Sequence, residues 1–320
     1  MSETTKIIVI FLAAFEIMLL LAPAGLPLLR RLKFGQTVRN EGPESHLAKN
    51  GTPTMGGIMI MIAFTIPCIF FIKDHEEIFA PCVIAILFGF VGFLDDYLKV
   101  KRKKSEGLKP WQKMGLQIIF TIAIIVFLYF FSDISPAIKV PFIKGVEFNI
   151  GWWVLPLNFV AILGTDTGAN FTDGLDGLVS KVTIVILIFL FFAARMQGSA
   201  LVYPIAAFSG ALLSFLLFNA HPARVFMGDT GALAIGGFVA LCAIELKLTL
   251  FLVIIAFVYV AEVASVIMQV SYFKLTHGKR IFKMTPIHHH FEKCGWAEEK
   301  VVTVFTIVTI ILCMIALLGM

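Results

Sequence analysis

Apolar residues along this chain fall in long runs rather than in narrow helical stripes, and short polar segments separate the runs. A helix that crosses a bilayer needs about 17 to 25 mostly apolar residues. By that measure the runs predict ten spanning helices, near 7–29, 56–72, 80–98, 115–131, 151–166, 177–194, 199–218, 230–246, 248–273 and 301–319. The fifth and eighth are short and contain glycine. Between the fourth and fifth, SPAIKVPFIKGVEFNIGWW (135–153) alternates apolar and polar residues with Pro and Gly punctuation. That pattern predicts a small hairpin outside the membrane, ending in an interfacial pair of tryptophans.

Composition agrees with this pattern. With 59% hydrophobic and 15% charged residues and a mean hydropathy of +0.92, the chain lies far from soluble-domain averages. The reading is an all-α polytopic membrane protein forming a single domain over 1–320, its first span retained rather than removed as a signal peptide. The five cysteines are odd in number and scattered, mostly in apolar runs, so they imply no disulfide framework. A net charge of +5 needs no nucleic-acid partner, because the basic residues sit in loops between spans. Loops 30–55, 96–114, 167–181, 219–229 and 274–300 hold 20 of the 26 Lys and Arg residues. The positive-inside rule makes those five loops cytoplasmic and puts both termini outside. Six of the eight aspartates and six of the seven histidines then fall on the cytoplasmic side.

The chemistry-bearing motifs gather there. GFLDDYLK (92–99) sets Asp95 and Asp96 at the inner end of the third span. Neighbouring helical positions point about 100° apart, so the two cannot chelate one ion symmetrically. Two anions at a helix C-terminus also oppose the helix dipole, which argues against a mere solvated end. TDGLDGL opens the sixth span, with Thr172 or Asp173 as an N-cap and Asp176 one turn on. A cap explains one of those carboxylates and not the second. NAHPARVFMGDTGAL (219–233) brings Asn219, Arg224, Phe226 and Asp229 into one loop, where Asp229 is either an N-cap for the eighth span or a metal-competent acid. KNGTPTMGG (49–57) offers Lys49, hydroxyls and glycines at a helix entrance but is not a P-loop. TPIHHHFEKCGW (285–296) holds His288, His289 and His290 without zinc-site spacing, so phosphate or carboxylate contacts are the better reading. In the basic loop KVKRKKSEGLKPWQK (99–113), most charge is accounted for by orientation and anionic lipid, leaving Lys99, Arg102, Lys109 and Lys113 as candidate phosphate contacts.

Acids for a divalent cation, cations for phosphates and an aromatic for a base, all at a membrane surface, point to phosphoryl transfer involving a lipid. GTPTMGG, GFLDDYLK, NFTDGLDGL, FMGDTG and PIHHHFE occur here in the order found in the phospho-N-acetylmuramoyl-pentapeptide-transferase family, which the chain resembles from about residue 30 to 300. The resemblance implies a multi-pass enzyme of the bacterial inner membrane, active site facing the cytoplasm and Mg²⁺ as cofactor. Its substrates would be UDP-MurNAc-pentapeptide and undecaprenyl phosphate, its products lipid I and UMP, and its assembly a homodimer. It implies catalytic roles for Asp95, Asp96 and Asp229, with Asp229 the magnesium ligand. Substrate contacts would come from Lys49, Lys113, Asn170, Asp173, Asp176, Asn219, His288, His289 and His290, and uracil recognition from Phe226 and Gln269. The lipid chain is expected in an apolar groove beside the ninth span.

The sequence departs from the family pattern at Thr167, where the family has asparagine, and at Ala232 in MGDTGA. Two other readings compete. A UDP-HexNAc:polyprenyl-phosphate transferase would share the aspartates but generally carries a different histidine motif than PIHHHFE. A secondary transporter would need intramembrane acids, for which only Glu16 and Glu262 qualify.

Overall fold

The computed structural model describes residues 2–31, 51–72, 76–102, 107–131 and 134–320. Lys49 lies outside the described residues. The helices in chain order are α1 (Glu3–Arg31), α2 (Gly57–Ile72), α3 (Phe79–Arg102), α4 (Pro110–Phe130), α5 (Val154–Thr172), α6 (Leu178–Gln197), α7 (Val202–Asn219), α8 (Gly228–Glu245), α9 (Leu252–Ile255), α10 (Phe257–Leu275), α11 (Ile287–Lys293) and α12 (Glu298–Leu318). Among the described residues, eight of these are long and apolar enough to cross a membrane: α1, α3, α4, α6, α7, α8, α10 and α12. The chain is an all-α polytopic membrane protein. Two of the ten expected spans, α2 and α5, fall outside that set of eight; α2 is a shorter apolar helix, and the second half of α5 reads GTDTGANFT.

The expected hairpin forms. Strands β1 (Ala137–Lys139) and β2 (Glu147–Asn149) pair antiparallel with Ile138 opposite Phe148, and Trp152 and Trp153 stand exposed just beyond. The Lys139 N–H donates to the Lys247 carbonyl at 2.8 Å, which ties the hairpin to the end of α8.

Helix α8 is buried on every side from Thr230 to Ile244, as an all-round apolar helix must be. Lipid tails are as apolar as leucine, so helices in a bilayer associate through close packing of small residues. Two glycines make that packing possible where it matters. A Cβ on Gly92 would lie 2.1 Å from the Asp229 carbonyl oxygen, and one on Gly57 would lie 2.2 Å from the Gly231 nitrogen. Helices α2 and α3 therefore meet the start of α8 backbone to backbone. The close approach at Gly92 carries Asp95 and Asp96, about one turn further along α3, to the N-terminus of α8.

Two expectations about element boundaries need correcting. Helix α5 runs on to Thr172, so the expected loop 167–181 shrinks to a turn over 173–177. Neither Thr172 nor Asp173 caps α6. The Thr172 hydroxyl bonds the Gly168 carbonyl inside α5 at 2.7 Å, Asp173 closes the C-terminus of α5, and α6 is entered through Gly177 at φ 72°. The ninth span is also not one helix: it breaks at Ala256, which leaves helical geometry with ψ 29°. No Gly or Pro marks that break. Just beyond it, Tyr259 abuts Gly168 of α5 and its hydroxyl pairs with Thr183 of α6, so tertiary packing accompanies the restart of the helix.

Candidate active site

Asp95 and Asp96 are buried, 3% and 2% exposed, but they are not at a helix end. Helix α3 continues to Arg102, with Lys99, Lys101 and Arg102 in its last turn, so the dipole at that terminus meets cations and the argument from anions at a C-terminus does not apply. Asp96 instead reaches across to α8. Its carboxylate accepts the N–H of Asp229 at 3.2 Å, the N–H of Thr230 at 3.0 Å and the Thr230 hydroxyl at 2.8 Å. The first N–H groups of a helix lack partners within it and favour negative charge. Asp96 supplies both needs from another helix, which frees Asp229 from the capping role its position suggested.

The Asp229 side chain turns to a different set of partners. Its Oδ2 accepts from Lys99 at 2.9 Å and Lys113 at 2.8 Å, and its Oδ1 from the Asn170 amide at 3.0 Å. Lys113 also donates to Asn170 Oδ1 at 3.1 Å. Lys99 lies 2.6 Å from Asp95 Oδ2 and 3.6 Å from Asp96 Oδ1. Asp95 Oδ1 accepts the N–H of Leu108 at 2.7 Å. Residues from α3, α4, α5 and α8 thus close one network around Asp229. Asp173, in the 173–177 turn, lies near enough to this centre to feel its charges. Burial pushes its carboxyl well above the usual carboxylate range, and the negative charges of Asp229 and Asp96 add to the shift while Lys99 opposes it.

These residues fit a divalent cation. Asp95, Asp96 and Asp229 each offer an oxygen within 4.8 Å of the others, and hard oxygen donors suit magnesium. The Lys99 ammonium, a compact positive charge, already touches all three carboxylates. Counted as ionised, these three carboxylates meet two ammonium groups, a formal excess of one negative charge.

The remaining expected residues divide among neighbouring contacts. Asp176 Oδ2 accepts the Ala223 N–H at 3.0 Å and meets His221 Nδ1 at 3.1 Å, while the Asp176 N–H donates to Glu298 at 2.7 Å. The 173–177 turn, the α7–α8 loop and the start of α12 are joined there. Asn219 donates to the Val225 carbonyl at 3.0 Å and closes the loop that carries Phe226. The half-buried Phe226 pairs by its backbone with Pro53 and Gly56, at 2.8 and 2.9 Å. Gln269 Oε1 accepts the N–H groups of Ile281 and Phe282 at 3.1 and 2.9 Å, tying down the segment after α10.

The three histidines part ways. His288 meets Glu262 at 3.0 Å, His289 meets Glu292 at 2.8 Å, and His290 accepts the Lys283 N–H at 3.1 Å and lies 3.7 Å from the Cys294 sulfur. Two of the three meet carboxylates of the protein itself. Lys99, in sequence terms one of four candidate phosphate contacts, is central to the acid cluster, and its spacing of four from Asp95 is a visible signal of that. Thr230, His221 and Glu298 carry no comparable signal.

Two apolar surfaces belong to the helices around this centre. One is the outward side of α10, where Ile267, Met268, Val270 and Phe273 are exposed. The other is a groove of about 410 Å³ between α2 and α3, lined by Ile62, Ile66, Ile86 and Phe90 among others and reaching Thr230, the partner of Asp96.

Comparison with known proteins identifies the family. Residues 78–247 match the family model described as glycosyl transferase family 4, and residues 49–61 match signature 1 of phospho-N-acetylmuramoyl-pentapeptide-transferase. A protein of that name from Clostridium perfringens (strain SM101 / Type A) is 47% identical, covering 97% of this chain and 96% of its own length. One from Clostridium botulinum (strain Alaska E43 / Type E3) is 45% identical over 97% and 95%. Another, from Clostridioides difficile (strain 630), is 44% identical over 96% of each chain. With such identity over nearly its whole length, the chain belongs to the phospho-N-acetylmuramoyl-pentapeptide-transferase family.

Proposed function

We propose that this protein transfers phospho-MurNAc-pentapeptide from UDP-MurNAc-pentapeptide to undecaprenyl phosphate, giving lipid I and UMP, at the cytoplasmic face of the bacterial inner membrane. The observation that carries the reading is the single network around Asp229, in which acids, lysines and an amide from four helices face one point. The concentration of basic residues in five inter-span segments of the sequence supports the cytoplasmic orientation.

In the proposed reaction an oxygen of the lipid phosphate attacks the sugar-linked phosphorus of the donor. A new P–O bond forms, the bond from that phosphorus to the bridging oxygen breaks, and UMP leaves with the electron pair. Bound Mg²⁺, held by Asp229 with Asp95 and Asp96 beside it, would neutralise charge building up on the diphosphate. The residues themselves then divide the work. Asp96 is committed to three donors of α8. Asp95 holds fewer donors, the Lys99 ammonium on one oxygen and the Leu108 N–H on the other, so once Lys99 turns to phosphate it is the better-placed group to orient the attacking phosphate or take its proton. Lys99 and Lys113, compact charges on flexible stems, are free to exchange carboxylate for phosphate when substrate arrives. Phe226 offers a face for the uracil ring. The acceptor's chain lies on the apolar membrane-facing surface beside the centre, since polar backbone is not tolerated there.

The test is release of UMP by detergent-purified protein given UDP-MurNAc-pentapeptide, undecaprenyl phosphate and Mg²⁺, beside a UDP-GlcNAc control. Lipid-dependent release from the muramoyl donor alone supports the reading. Release from UDP-GlcNAc instead assigns the other branch, and a phosphorylated enzyme formed from donor alone and lost in Asp95→Asn overturns direct attack.

A further inference from the structure

Glu262 is a fully buried acid inside α10, and nothing in the proposed chemistry gives it a task. Its Oε1 meets Nδ1 of His288 at 3.0 Å, and His288 is itself only 1% exposed. Among the described residues, the imidazole Nε2 and the carboxylate Oε2 have no hydrogen-bond partner. An ionisable pair buried in a span is weak evidence for stability, because desolvation offsets its attraction.

The position of the ring suggests another purpose. Its far edge presses on Gly174, in the turn between α5 and α6: a Cβ there would lie 2.2 Å from Nε2 and 2.7 Å from Cε1. Asp173, the preceding residue, lies near enough to Asp229 and Asp96 to feel their charges. The turn is short, entered at the end of α5 and left through Gly177 in the left-handed region. A ring packed against Gly174 limits the rearrangements open to the turn, and so to Asp173.

We propose that Glu262 is a positioning residue for the transfer: it holds the His288 ring through Nδ1–H, and the ring braces the 173–177 turn at Gly174 so that Asp173 stays directed at the Asp229 centre. The chain of contact runs from α10 through α11 to the turn. A carboxylate that accepts from one imidazole nitrogen sets both the tautomer and the rotation of the ring. Glycine is required at 174 because the ring occupies the place of a side chain. The proposal rests on the transferase reading for its kinetic consequence but not for the contact itself.

The test is a double-mutant cycle on the full-length protein, with Gly174→Ala, His288→Ala and the pair, read as kcat and donor KM for UMP release and as thermal unfolding. Gly174→Ala is expected to lower kcat by about tenfold, with a smaller change in KM. In the His288→Ala background the added methyl has nothing to strike, so the same substitution should cost no further activity. Glu262→Gln keeps an acceptor for Nδ1–H and should retain most of kcat, whereas Glu262→Leu should fall to the level of His288→Ala. Losses that multiply in the double variant overturn the brace. So does a Glu262→Leu protein that melts lower yet turns over normally. If the wild type releases no UMP at all, the transferase reading fails, and coupling of Gly174→Ala with His288→Ala in the melting temperature still decides whether the contact exists.

Discussion

The acids around Asp229 and the three histidines at 288–290 are opposites in how they reach their places. Asp95, Lys99, Lys113, Asn170 and Asp229 are spread over four helices yet share one hydrogen-bonded centre. His288, His289 and His290 are consecutive, yet each faces a different partner. Side chains on successive residues of α11 point in different directions, while helices brought backbone to backbone with the start of α8 at Gly92 and Gly57 force distant residues together. Adjacency in sequence therefore says little about a shared site. Convergence of helix termini says more.

That contrast can be broken most sharply at its centre. Asp229→Asn removes the carboxylate that both lysines and Asn170 address, and UMP release should fall by about a thousandfold. Asp95→Asn should cost about a hundredfold in kcat through loss of an orienting or proton-accepting group, with an unchanged melting temperature. Asp96→Ala separates the two acids further. It strips three donors at the start of α8 of their acceptor, so it should lower stability by about 1–3 kcal/mol in thermal unfolding as well as impair turnover. Phe226→Ala should raise the donor KM by about tenfold if the ring stacks on uracil. The smallest effects belong to the divergent cluster: His289→Ala should change kcat less than Asp95→Asn does, and a zinc-selective chelator should leave activity intact while EDTA abolishes it and Mg²⁺ restores it.

Much of this architecture is legible in the amino-acid sequence. The apolar runs find the eight span-length helices of the described residues, because burial in lipid imposes one composition along a whole span, while the ninth run breaks in two and α5 runs on to Thr172. The outer hairpin announces itself by alternation and by Gly and Pro. What the sequence hides depends on contacts between distant residues. The break at Ala256 carries no Gly or Pro, and nothing local marks the extension of α5 to Thr172 that leaves a five-residue turn at 173–177. Asp96 capping α8 joins residues 134 apart in the chain, so local rules favour Asp229 for that role. Asp176, His221 and Glu298 meet across separations of 45 and 122 residues. Lys99 is within reach of sequence reasoning, since its spacing from Asp95 and Asp96 is a helical one. Only the fold brings that ammonium against Asp229 as well.

The most direct test of the central claim is the Mg²⁺ dependence of UMP release, measured side by side for the wild type, Asp229→Asn and His289→Ala. If the Asp229 network is the metal-dependent phosphotransfer centre, the half-saturating Mg²⁺ concentration rises sharply in Asp229→Asn and stays at the wild-type value in His289→Ala. An unchanged Mg²⁺ dependence in Asp229→Asn, or a shift of equal size in His289→Ala, would contradict the account.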